Sequence, residues 1–435
     1  MDYTKTILNF AKKMAEDGLL INGRGSVSVK IDKTSMLLIK STDYGRLDEN
    51  TAVRYSFEDM DETGAMHAAI YQGRPEIEAI LHFHSFYVGA AADKGVPVPS
   101  VLDDFAQIVG PSVKLVKDSP VKAMKGRFGC LIKGDGGIAV GRSAEETSIA
   151  AKVMEKGAKC FVQAGVLGGV KPIAALEAKL MHFVFRTKYS KIEESKNKPS
   201  KAKSAKEKPV KAKPAKKGGL ILSSPIAEEA GLRQAVKDAG IRLLQQNLVQ
   251  GTWGNISVRL NESKMLVTPS GLDYIRLRPE EMVVVDIETL EYAGNLKPTS
   301  ESKLHAGILR ERPEVNAVIH SHPTYCCVFA AMRAELDAMN EEMRVRVGEN
   351  CRSADYALPG TKKMTVETME ALADRRACFM ANHGVAAVGA DLDEAFEVIR
   401  VLEAACKEYI ESFAVKATNA AEYSDALMRD LYLKV

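Results

Sequence analysis

Paired histidines are the first feature of this sequence that could do chemistry. The stretch "AVIHSHPTY" contains His320 and His322, and "AILHFHSFY" contains His82 and His84 in a matching apolar context. Residues two apart in a β-strand lie on the same face of the sheet, about 7 Å apart along the strand. Two imidazoles so placed can bind one cation at Zn–N distances of about 2.1 Å. The sequence therefore predicts two strand-borne histidine pairs.

A third histidine could complete a metal site in the second half of the chain. His383 lies in "ANHGV", where Gly384 permits a sharp turn. Three histidine ligands leave one coordination position open, which is typical of a catalytic zinc site. A lone His-x-His pair more often belongs to a core, but this chain has only eight histidines. Six of them form matched pairs, namely His67/His305, His82/His320 and His84/His322.

The matched histidines belong to a long internal repeat. "MHAAIYQGRPEIEAILHFH" matches "LHAGILRERPEVNAVIHSH" without a gap, "GRGSVSV" matches "GTWGNISV", and "GDGGIAVG" matches "NHGVAAVG". A repeat of roughly 200 residues is far longer than a solenoid unit, so it predicts two homologous domains. We place these domains at residues 1–190 and 219–435, with a linker at residues 191–218 between them.

The predicted linker has an unusual composition. Residues 191–217 contain eleven lysines and three glutamates, and since the whole chain has a formal net charge of +3, the remainder is about −5. Such a segment cannot bury enough apolar surface to offset ordering, so a disordered, extended spacer is expected. Electrostatic contact with an acidic partner is the other interpretation. Because no aromatic residue is interleaved for base stacking, nucleic-acid binding is disfavoured.

Overall composition indicates a soluble globular protein. Of 435 residues, 46% are hydrophobic and 27% charged, and no apolar run is long enough to span a bilayer. Seven scattered cysteines give no disulfide framework, and the N-terminal residues show no signal-peptide pattern. We therefore expect a cytoplasmic protein without a membrane partner.

Each half contains more strand-like segments than crossover helices. In the second half, "GNISVRL", "KMLVTPSG", "EEMVVVDIE" and "AVIHSH" have β-branched runs ended by turn residues, and a helix is expected near "TSESKLHAGILRER". The fold class predicted is therefore α/β, with two similar domains. Each domain would have a largely antiparallel or mixed central sheet flanked by helices, an α/β/α arrangement.

Six motifs of the second half stand in an order that resembles the class II aldolase and adducin family. They are "GNISVR", "TPSG", "TSE", the His-x-His pair, "YALPGT" and "NHG". The pattern is most similar to the fuculose-phosphate aldolases of that family and covers nearly all of residues 227–435. The resemblance implies a lyase of carbohydrate metabolism that depends on Zn²⁺ or another divalent metal. It would reversibly cleave a phosphorylated ketose to dihydroxyacetone phosphate and an aldehyde.

The resemblance also implies roles for individual residues. The metal ligands would be His320, His322 and His383, the acid/base Glu301, and the tyrosine that assists at the aldehyde Tyr356. The substrate phosphate would be bound by Asn255, Thr268, Ser270, Gly271, Thr299 and Ser300. Family members imply a homo-oligomer, either a tetramer or a dimer that forms a pseudo-tetramer of four domains.

Elementary chemistry agrees with these roles. Breaking a C–C bond next to a ketone requires stabilisation of an enediolate, which Zn²⁺ provides as a Lewis acid. A carboxylate beside the metal can then move the proton on and off carbon. Small hydroxyls and backbone N–H groups suit a phosphate dianion.

The first half lacks most of this set. In the repeat, Glu301 faces Thr63, His383 faces Asp135, Asn255 faces Ser26, and "TPSG" is replaced by "KSTD". Glu62 is displaced by one residue, which rotates a helical side chain by roughly 100°. His82, His84 and Asp135 could still bind a metal. We expect a degenerate domain, with a repurposed metal site as the open alternative.

Two other functions remain open at this point. The first is another enzyme of the same fold, a sugar-phosphate epimerase, dehydratase or decarboxylase, although the epimerase branch usually has Asp at the position of Glu301. The second is a non-catalytic interaction protein similar to the adducin heads, which lose the metal ligands. The complete set in the second half favours the aldolase over both.

Overall fold

The computed structural model describes residues 2–58, 60–196, 225–249 and 253–435. The last helix of the first half continues to Lys196, six residues into the predicted linker. Residues 197–218 of that linker lie outside the described residues, as do residue 250 and the first two residues of the "GTWGNISV" segment, 251–252.

Each half forms one eight-stranded sheet, and the two sheets have the same strand order. The strands of the first half are β1 (Ser26–Lys30), β2 (Ser35–Lys40), β3 (Val53–Ser56), β4 (Ala79–Phe83), β5 (Val98–Pro99), β6 (Ser112–Leu115), β7 (Gly129–Leu131) and β8 (Gly137–Gly141). Their order is β3-β2-β1-β4-β8-β7-β6-β5. Neighbours are antiparallel except β6 and β7, which are parallel.

The second sheet repeats this plan. Its strands are β9 (Asn255–Arg259), β10 (Lys264–Val267), β11 (Val283–Asp286), β12 (Ala317–Ser321), β13 (Leu336–Asp337), β14 (Asn350–Ala354), β15 (Ala377–Met380) and β16 (Gly384–Gly389). Their order is β11-β10-β9-β12-β16-β15-β14-β13, with β14 and β15 parallel. The predicted fold class is confirmed, because both sheets are mixed and largely antiparallel.

Helices flank both sheets. Those of the first half are α1 (Tyr3–Glu16), α2 (Glu62–Gly73), α3 (Phe86–Lys94), α4 (Asp103–Ile108), α5 (Pro120–Ala123), α6 (Ala144–Val166) and α7 (Ala175–Lys196). Those of the second half are α8 (Pro225–Gln245), α9 (Ser302–Glu311), α10 (Thr324–Met332), α11 (Glu341–Arg346), α12 (Lys362–Leu372), α13 (Leu392–Thr418) and α14 (Asp425–Lys434). In the described part of the chain, none of these helices is long and apolar enough to cross a membrane.

Strand alternation places the candidate site on one face of the second sheet. Ile319 joins the buried cluster that contains Phe396 of α13, whereas Val318 joins a separate cluster with Leu304 of α9. Since side chains alternate along a strand, these clusters cover opposite faces of the sheet. His320 therefore shares its face with Val318, on the side covered by α9 and α12.

The two halves pack directly on each other. Helix α10 lies against α6, and α14 lies against both α6 and α3, so the buried cluster runs from one half into the other. At the start of α4, the backbone N–H of Asp103 donates to the carbonyl of Asn382 at 2.8 Å. The side-chain amide of Asn382 donates to the carbonyl of Val101, also at 2.8 Å. The first half thus contacts the turn that carries His383.

Candidate metal centre and active site

Three imidazoles converge in the second half. The Nε2 atom of His322 lies 2.8 Å from Nε2 of His320, and Nε2 of His383 lies 3.0 Å from the same atom. All three side chains are buried. A Cβ on Gly384 would lie 2.4 Å from the carbonyl oxygen of Ser321, so only glycine lets the turn pass this close to the histidine strand. The sequence-predicted trio is therefore brought together.

The turn before Gly384 has its own supports. Asn382 adopts the left-handed conformation with φ of 55°, which asparagine tolerates better than most residues. The His383 N–H donates to the carbonyl of Met380 at 2.9 Å and closes the turn. The carbonyl oxygen of the Asn382 side chain accepts from Nε of Arg333 at 2.8 Å. These bonds fix the backbone from which the His383 ring projects.

Outer contacts orient two of the three rings. Nδ1 of His320 lies 3.0 Å from the carbonyl oxygen of Val385, and Nδ1 of His383 lies 2.7 Å from Oδ2 of Asp103. Since a carbonyl or carboxylate oxygen accepts, each Nδ1 is the donor, so in the neutral form of each ring the lone pair is on Nε2, which faces the centre. Nδ1 of His322 has no hydrogen-bond partner among the described residues and lies 3.8 Å from Oδ2 of Asp104.

Glu301 lies beside the imidazoles, immediately before α9. Its Oε1 is 3.0 Å from Nε2 of His383, and its Oε2 accepts from the Asn255 amide at 2.8 Å. The other end of that amide contacts Nε2 of His305, whose Nδ1 lies 2.6 Å from the hydroxyl of Ser257. A buried chain of polar groups therefore holds the carboxylate in place. His305 and Ser257 were not among the predicted site residues.

Burial and mutual charge set the protonation of this cluster. Burial lowers the pKa of His320 to about 4 and that of His322 to about 3. For His383, burial also disfavours the charged form, but the carboxylates of Glu301 and Asp103 outweigh it and raise the pKa to about 10. Burial would raise the pKa of Glu301, yet the neighbouring imidazoles His320 and His383 hold it well below its usual range.

The donor set fits a divalent metal. Three imidazole nitrogens lie within reach of one another, and a carboxylate lies beside them. In the neutral form of His320 and His383, the lone pair on Nε2 is directed inward. Nitrogen and oxygen donors of this kind suit Zn²⁺ and neighbouring transition-metal ions.

Five of the six residues predicted to bind phosphate lie on two adjoining loops, and the sixth, Asn255, opens strand β9. Thr299 N–H donates to the carbonyl of Thr268 at 3.0 Å, and Ser270 N–H donates to the carbonyl of Lys297 at 2.9 Å. Thr268 and Thr299 are buried, whereas Ser270, Gly271 and Ser300 are exposed. These five residues lie together, while the Asn255 amide is engaged with Glu301. Phosphate binding by any of the six stays a prediction.

Tyr356 reaches the site through the first half. Its hydroxyl donates to Oδ1 of Asp103 at 3.1 Å, and the guanidinium of Arg333 lies 5.1 Å from its ring centroid. The other carboxylate oxygen of Asp103 contacts His383, so Tyr356 is linked to the imidazoles indirectly, through Asp103. The aldehyde-assisting role stays a prediction.

The adjacent pair Asp103 and Asp104 was missed by sequence reasoning. Both lie at the start of α4 and are almost fully buried, as is Lys156, whose Nζ lies 3.0 Å from Oδ2 of Asp104. Burial raises the pKa of Asp103, whereas the Lys156 ammonium overcomes burial and holds the pKa of Asp104 below its usual range. Two consecutive acids inside the apolar run "VPSVLDDFAQIVG" were the available signal.

The first half has a smaller cluster at the equivalent position. Nε2 of His84 lies 2.8 Å from Oδ1 of Asp135, and Nε2 of His82 lies 3.3 Å from Oδ2. Both histidines are buried, and the carboxyl is half-exposed. Arg24 lies 4.0 Å from the same carboxylate. These side chains form the other group that could hold a metal among the described residues.

The surroundings of this cluster differ from those in the second half. His67, the counterpart of His305, is hydrogen-bonded to the hydroxyls of Ser26 and Ser28 at 2.8 and 2.7 Å. Unlike His305, it is therefore not linked to a carboxylate through these two partners. Glu62 is exposed at the start of α2. The structure also revises one sequence correspondence.

That correspondence concerns the segment that matches "TPSG". Ser28 pairs with Leu38 and Ser257 pairs with Val267. The residue after each partner is then Ile39 in the first half and Thr268 in the second, so "TPSG" corresponds to residues 39–42 rather than to "KSTD". A fully buried isoleucine thus replaces the first hydroxyl.

Comparison with known proteins gives one family for both halves. A family model described as the class II aldolase and adducin N-terminal domain matches residues 5–162 and 234–410. A 5-methylthioribulose-1-phosphate/5-deoxyribulose-1-phosphate aldolase of Rhodospirillum rubrum is 35% identical over 178 residues, 41% of this chain and 80% of the relative. A 5-deoxy-D-ribulose 1-phosphate aldolase of Bacillus thuringiensis is 32% identical over 184 residues, 42% of this chain and 86% of the relative.

A third relative is the L-fuculose phosphate aldolase of Escherichia coli, 29% identical over 188 residues, 43% of this chain and 86% of the relative. Each match thus covers less than half of this chain but most of the relative. The family predicted from the six motifs is confirmed. Because the family model matches both halves, the chain belongs to the class II aldolase and adducin family, and it is a lyase of the aldolase type.

Proposed function

We propose that residues 219–435 form a Zn²⁺-dependent aldolase domain and residues 1–190 a diverged copy of it. The domain reversibly cleaves a ketose 1-phosphate into dihydroxyacetone phosphate and an aldehyde. The observation that carries this proposal is the buried meeting point of three imidazoles and one carboxylate, His320, His322, His383 and Glu301.

The chemistry divides between the metal and the protein. In the cleavage direction the C4 hydroxyl loses a proton, the C3–C4 bond breaks, and carbon C3 gains a proton. A divalent cation on the three histidines would supply Lewis acidity for the negative charge that develops on the substrate oxygens. Glu301 is a carboxylate at rest, so it takes up the proton that the C4 hydroxyl releases and delivers it to C3; it lies buried beside the centre, and the Asn255 amide fixes its other oxygen.

The remaining polar groups bind and orient the substrate. The loops around Thr268 and Thr299 lie next to Glu301, and the C1 phosphate would bind to their exposed hydroxyls, those of Ser270 and Ser300. Tyr356 exchanges the proton of the aldehyde oxygen, and its hydroxyl is held towards the site by Asp103. Both assignments follow the motif order and are consistent with the observed contacts.

The relatives narrow the substrate class. Two of them are named for 5-deoxyribulose 1-phosphates and one for fuculose phosphate. We therefore propose a 5-carbon or 6-carbon ketose 1-phosphate whose end distant from the phosphate is deoxygenated or carries a methylthio group.

A substrate panel tests this function. Purified full-length protein is incubated with 5-deoxyribulose, 5-methylthioribulose and fuculose 1-phosphates, and dihydroxyacetone phosphate is measured by coupled reduction with NADH. We expect release from at least one of them, and chelator-treated protein should lose activity and regain it with Zn²⁺. No dihydroxyacetone phosphate from any of them, at full Zn²⁺ loading, contradicts the proposal. A ketopentose 5-phosphate serves as the control for an epimerase, which would isomerise it without cleavage.

We also propose that two chains pair to form a ring of four halves. Within one chain the contact is heterologous, because α10 and α14 of the second half pack on α6 and α3 of the first. The repeat counterparts of α10, α14, α6 and α3 are α3, α7, α13 and α10, and the first three of these counterparts expose apolar side chains. These are Phe86, Leu176, Leu180, Phe183, Val184, Tyr409 and Phe413. In contrast, Met428 and Tyr432 on α14 are buried.

The mass of the protein in solution tests the pairing. Sedimentation should give two chains for the wild type and one chain for Phe183→Glu, since Phe183 is 68% exposed in the single chain. Ile275→Glu is the matched control, because Ile275 is 70% exposed but lies in a turn outside these helices. A wild type that sediments as a single chain contradicts the pairing.

A further inference from the structure

The polar contacts behind the second-half imidazoles come largely from the first half. Asp103 accepts from Nδ1 of His383 at 2.7 Å, and Asp104 lies 3.8 Å from Nδ1 of His322. The remaining imidazole, His320, faces a carbonyl of its own half, that of Val385. Two of the three candidate ligands therefore have a first-half carboxylate on the side away from the centre.

These carboxylates are placed firmly. Asp103 has 1% and Asp104 3% of its surface exposed, and both oxygens of Asp103 are engaged, one by His383 and one by Tyr356. Asp104 is ion-paired with Lys156 of α6 at 3.0 Å, and its backbone lies at the first turn of α4. The Asp103 N–H is bonded to Asn382. A buried carboxylate in this environment has few alternative positions.

The repeat shows that this arrangement is specific to one half. Helix α11 is the counterpart of α4, and its first two residues are Glu341 and Glu342. Both are exposed, in surface ion pairs with Arg344 and Arg400. The acids at the start of α4 are instead enclosed against the imidazoles of the other half.

We propose that the first half completes the metal centre of the second, with Asp103 as a positioning residue for His383. This inference rests on the proposed ligand roles of the histidines. A hydrogen bond from Nδ1 to a carboxylate fixes the ring orientation and leaves Nε2 as the ligand atom, and it makes that nitrogen a better donor. The half that lost its own base and hydroxyls is therefore retained as part of the active site.

Zn²⁺ affinity of the full chain tests this proposal. Asp103→Asn is isosteric, so a packing role predicts no change, whereas a positioning role predicts weaker binding. We expect the Zn²⁺ dissociation constant, measured by competition with a chelating dye, to rise about 10–100-fold. The visible absorption of the Co²⁺-substituted protein should shift as well, because the ligand field of His383 changes. Asp103→Ala should weaken binding further, since alanine cannot accept a hydrogen bond.

Glu341→Gln is the matched control and should bind Zn²⁺ like the wild type. An Asp103→Asn protein with the wild-type dissociation constant and the wild-type Co²⁺ spectrum overturns the positioning role. A wild-type chain that binds no Zn²⁺ overturns the proposed metal centre itself, so the two failures are distinguishable. Thermal unfolding of each variant shows that the fold is retained.

The cluster of His82, His84 and Asp135 in the first half supports a second proposal. His82 and His84 are buried; Nε2 of His84 lies 2.8 Å from Oδ1 of Asp135, and Nε2 of His82 lies 3.3 Å from Oδ2 and 3.0 Å from the backbone carbonyl oxygen of the same residue. Nδ1 of His84 has no hydrogen-bond partner among the described residues. A Cβ on Gly136 would lie 2.3 Å from the carbonyl oxygen of Phe83, so the close turn of the second half is preserved here.

The geometry points to a second divalent-cation site of two imidazoles and one carboxylate, without aldolase activity. Such a donor set accepts Zn²⁺, Mn²⁺ or Fe²⁺. Elemental analysis of the full chain, saturated with Zn²⁺ and then desalted, should give two ions per chain. Asp135→Asn and His322→Ala should each give one, and the double variant none. An Asp135→Asn protein with the same metal content as the wild type overturns this second site.

Discussion

The two histidine clusters are built on the same backbone and differ in what surrounds it. In both halves a His-x-His strand lies between two antiparallel neighbours, and a glycine turn brings a third side chain over the pair. The third side chain is His383 in one half and Asp135 in the other. Among the described residues, buried carboxylates lie beside the second cluster alone, namely Glu301 from the same half and Asp103 and Asp104 from the first half.

The two halves share the structural framework of the site but not the groups that could carry out its chemistry. The framework consists of strand register, a tight turn and a buried histidine that bridges two strand hydroxyl or amide groups, His67 or His305. These features are shared because they also support folding. The groups to which we assign the reaction, namely the Glu301 carboxylate, its amide partner and the loop hydroxyls, are those that the first half has replaced.

The largest effect should come from removing equivalent histidines in turn. His322→Ala removes a ligand at the active centre, so we expect turnover to fall to background and Zn²⁺ to be lost from that site. His84→Ala removes the matching residue of the first half, and turnover should stay within about twofold, because that residue contacts Asp135 rather than the reacting centre. Steady-state turnover with the active ketose phosphate measures both. Equal losses in the two variants would contradict the assignment of the reaction to the second half.

A similar contrast is expected for the two glutamates near the helix starts. Glu301→Gln removes the acid/base while keeping the shape of the side chain, so kcat should fall by about 10²–10⁴-fold with bound Zn²⁺ retained. Glu62→Gln changes an exposed residue and should leave kcat unchanged. Metal content and kcat are measured on the same preparations. Loss of Zn²⁺ from the Glu301 variant would instead identify that residue as a ligand.

Much of the fold and part of the site could be predicted from the sequence. The repeat, the two sheets and the convergence of His320, His322 and His383 follow from patterns local to each half, because strand alternation and a glycine turn act over a few residues. The correspondence of "TPSG" was wrong by one residue. The register of the paired hairpin strands decides which residues of the two halves correspond. The sequence of this segment alone does not show that register.

The contribution of the first half could not be predicted in this way. Asp103 and Asp104 lie about 280 and 218 positions from the histidines that they face, and no motif connects them. Their burial depends on how α6 packs on α10, which is a property of the folded pair of halves. The same applies to Tyr356, whose hydroxyl reaches the site only through Asp103. Contacts between repeats are therefore the part of such a site that requires the structure.

The smallest effect expected among these tests concerns the amide that holds the base. Asn255→Ser gives the second half the residue of the first, because Asn255 and Ser26 pair with His320 and His82 at the same register. The serine side chain is shorter, so Glu301 loses the donor that now lies 2.8 Å from its Oε2. A hydrogen bond to a charged group contributes about 1.5–3 kcal/mol, which corresponds to a loss of roughly 10- to 150-fold in kcat. The reciprocal Ser26→Asn variant should not gain activity, since among the residues that the structure describes no buried carboxylate lies beside His67 to receive the new amide. A Ser variant at position 255 with wild-type kcat would show that the carboxylate is held by the imidazoles alone.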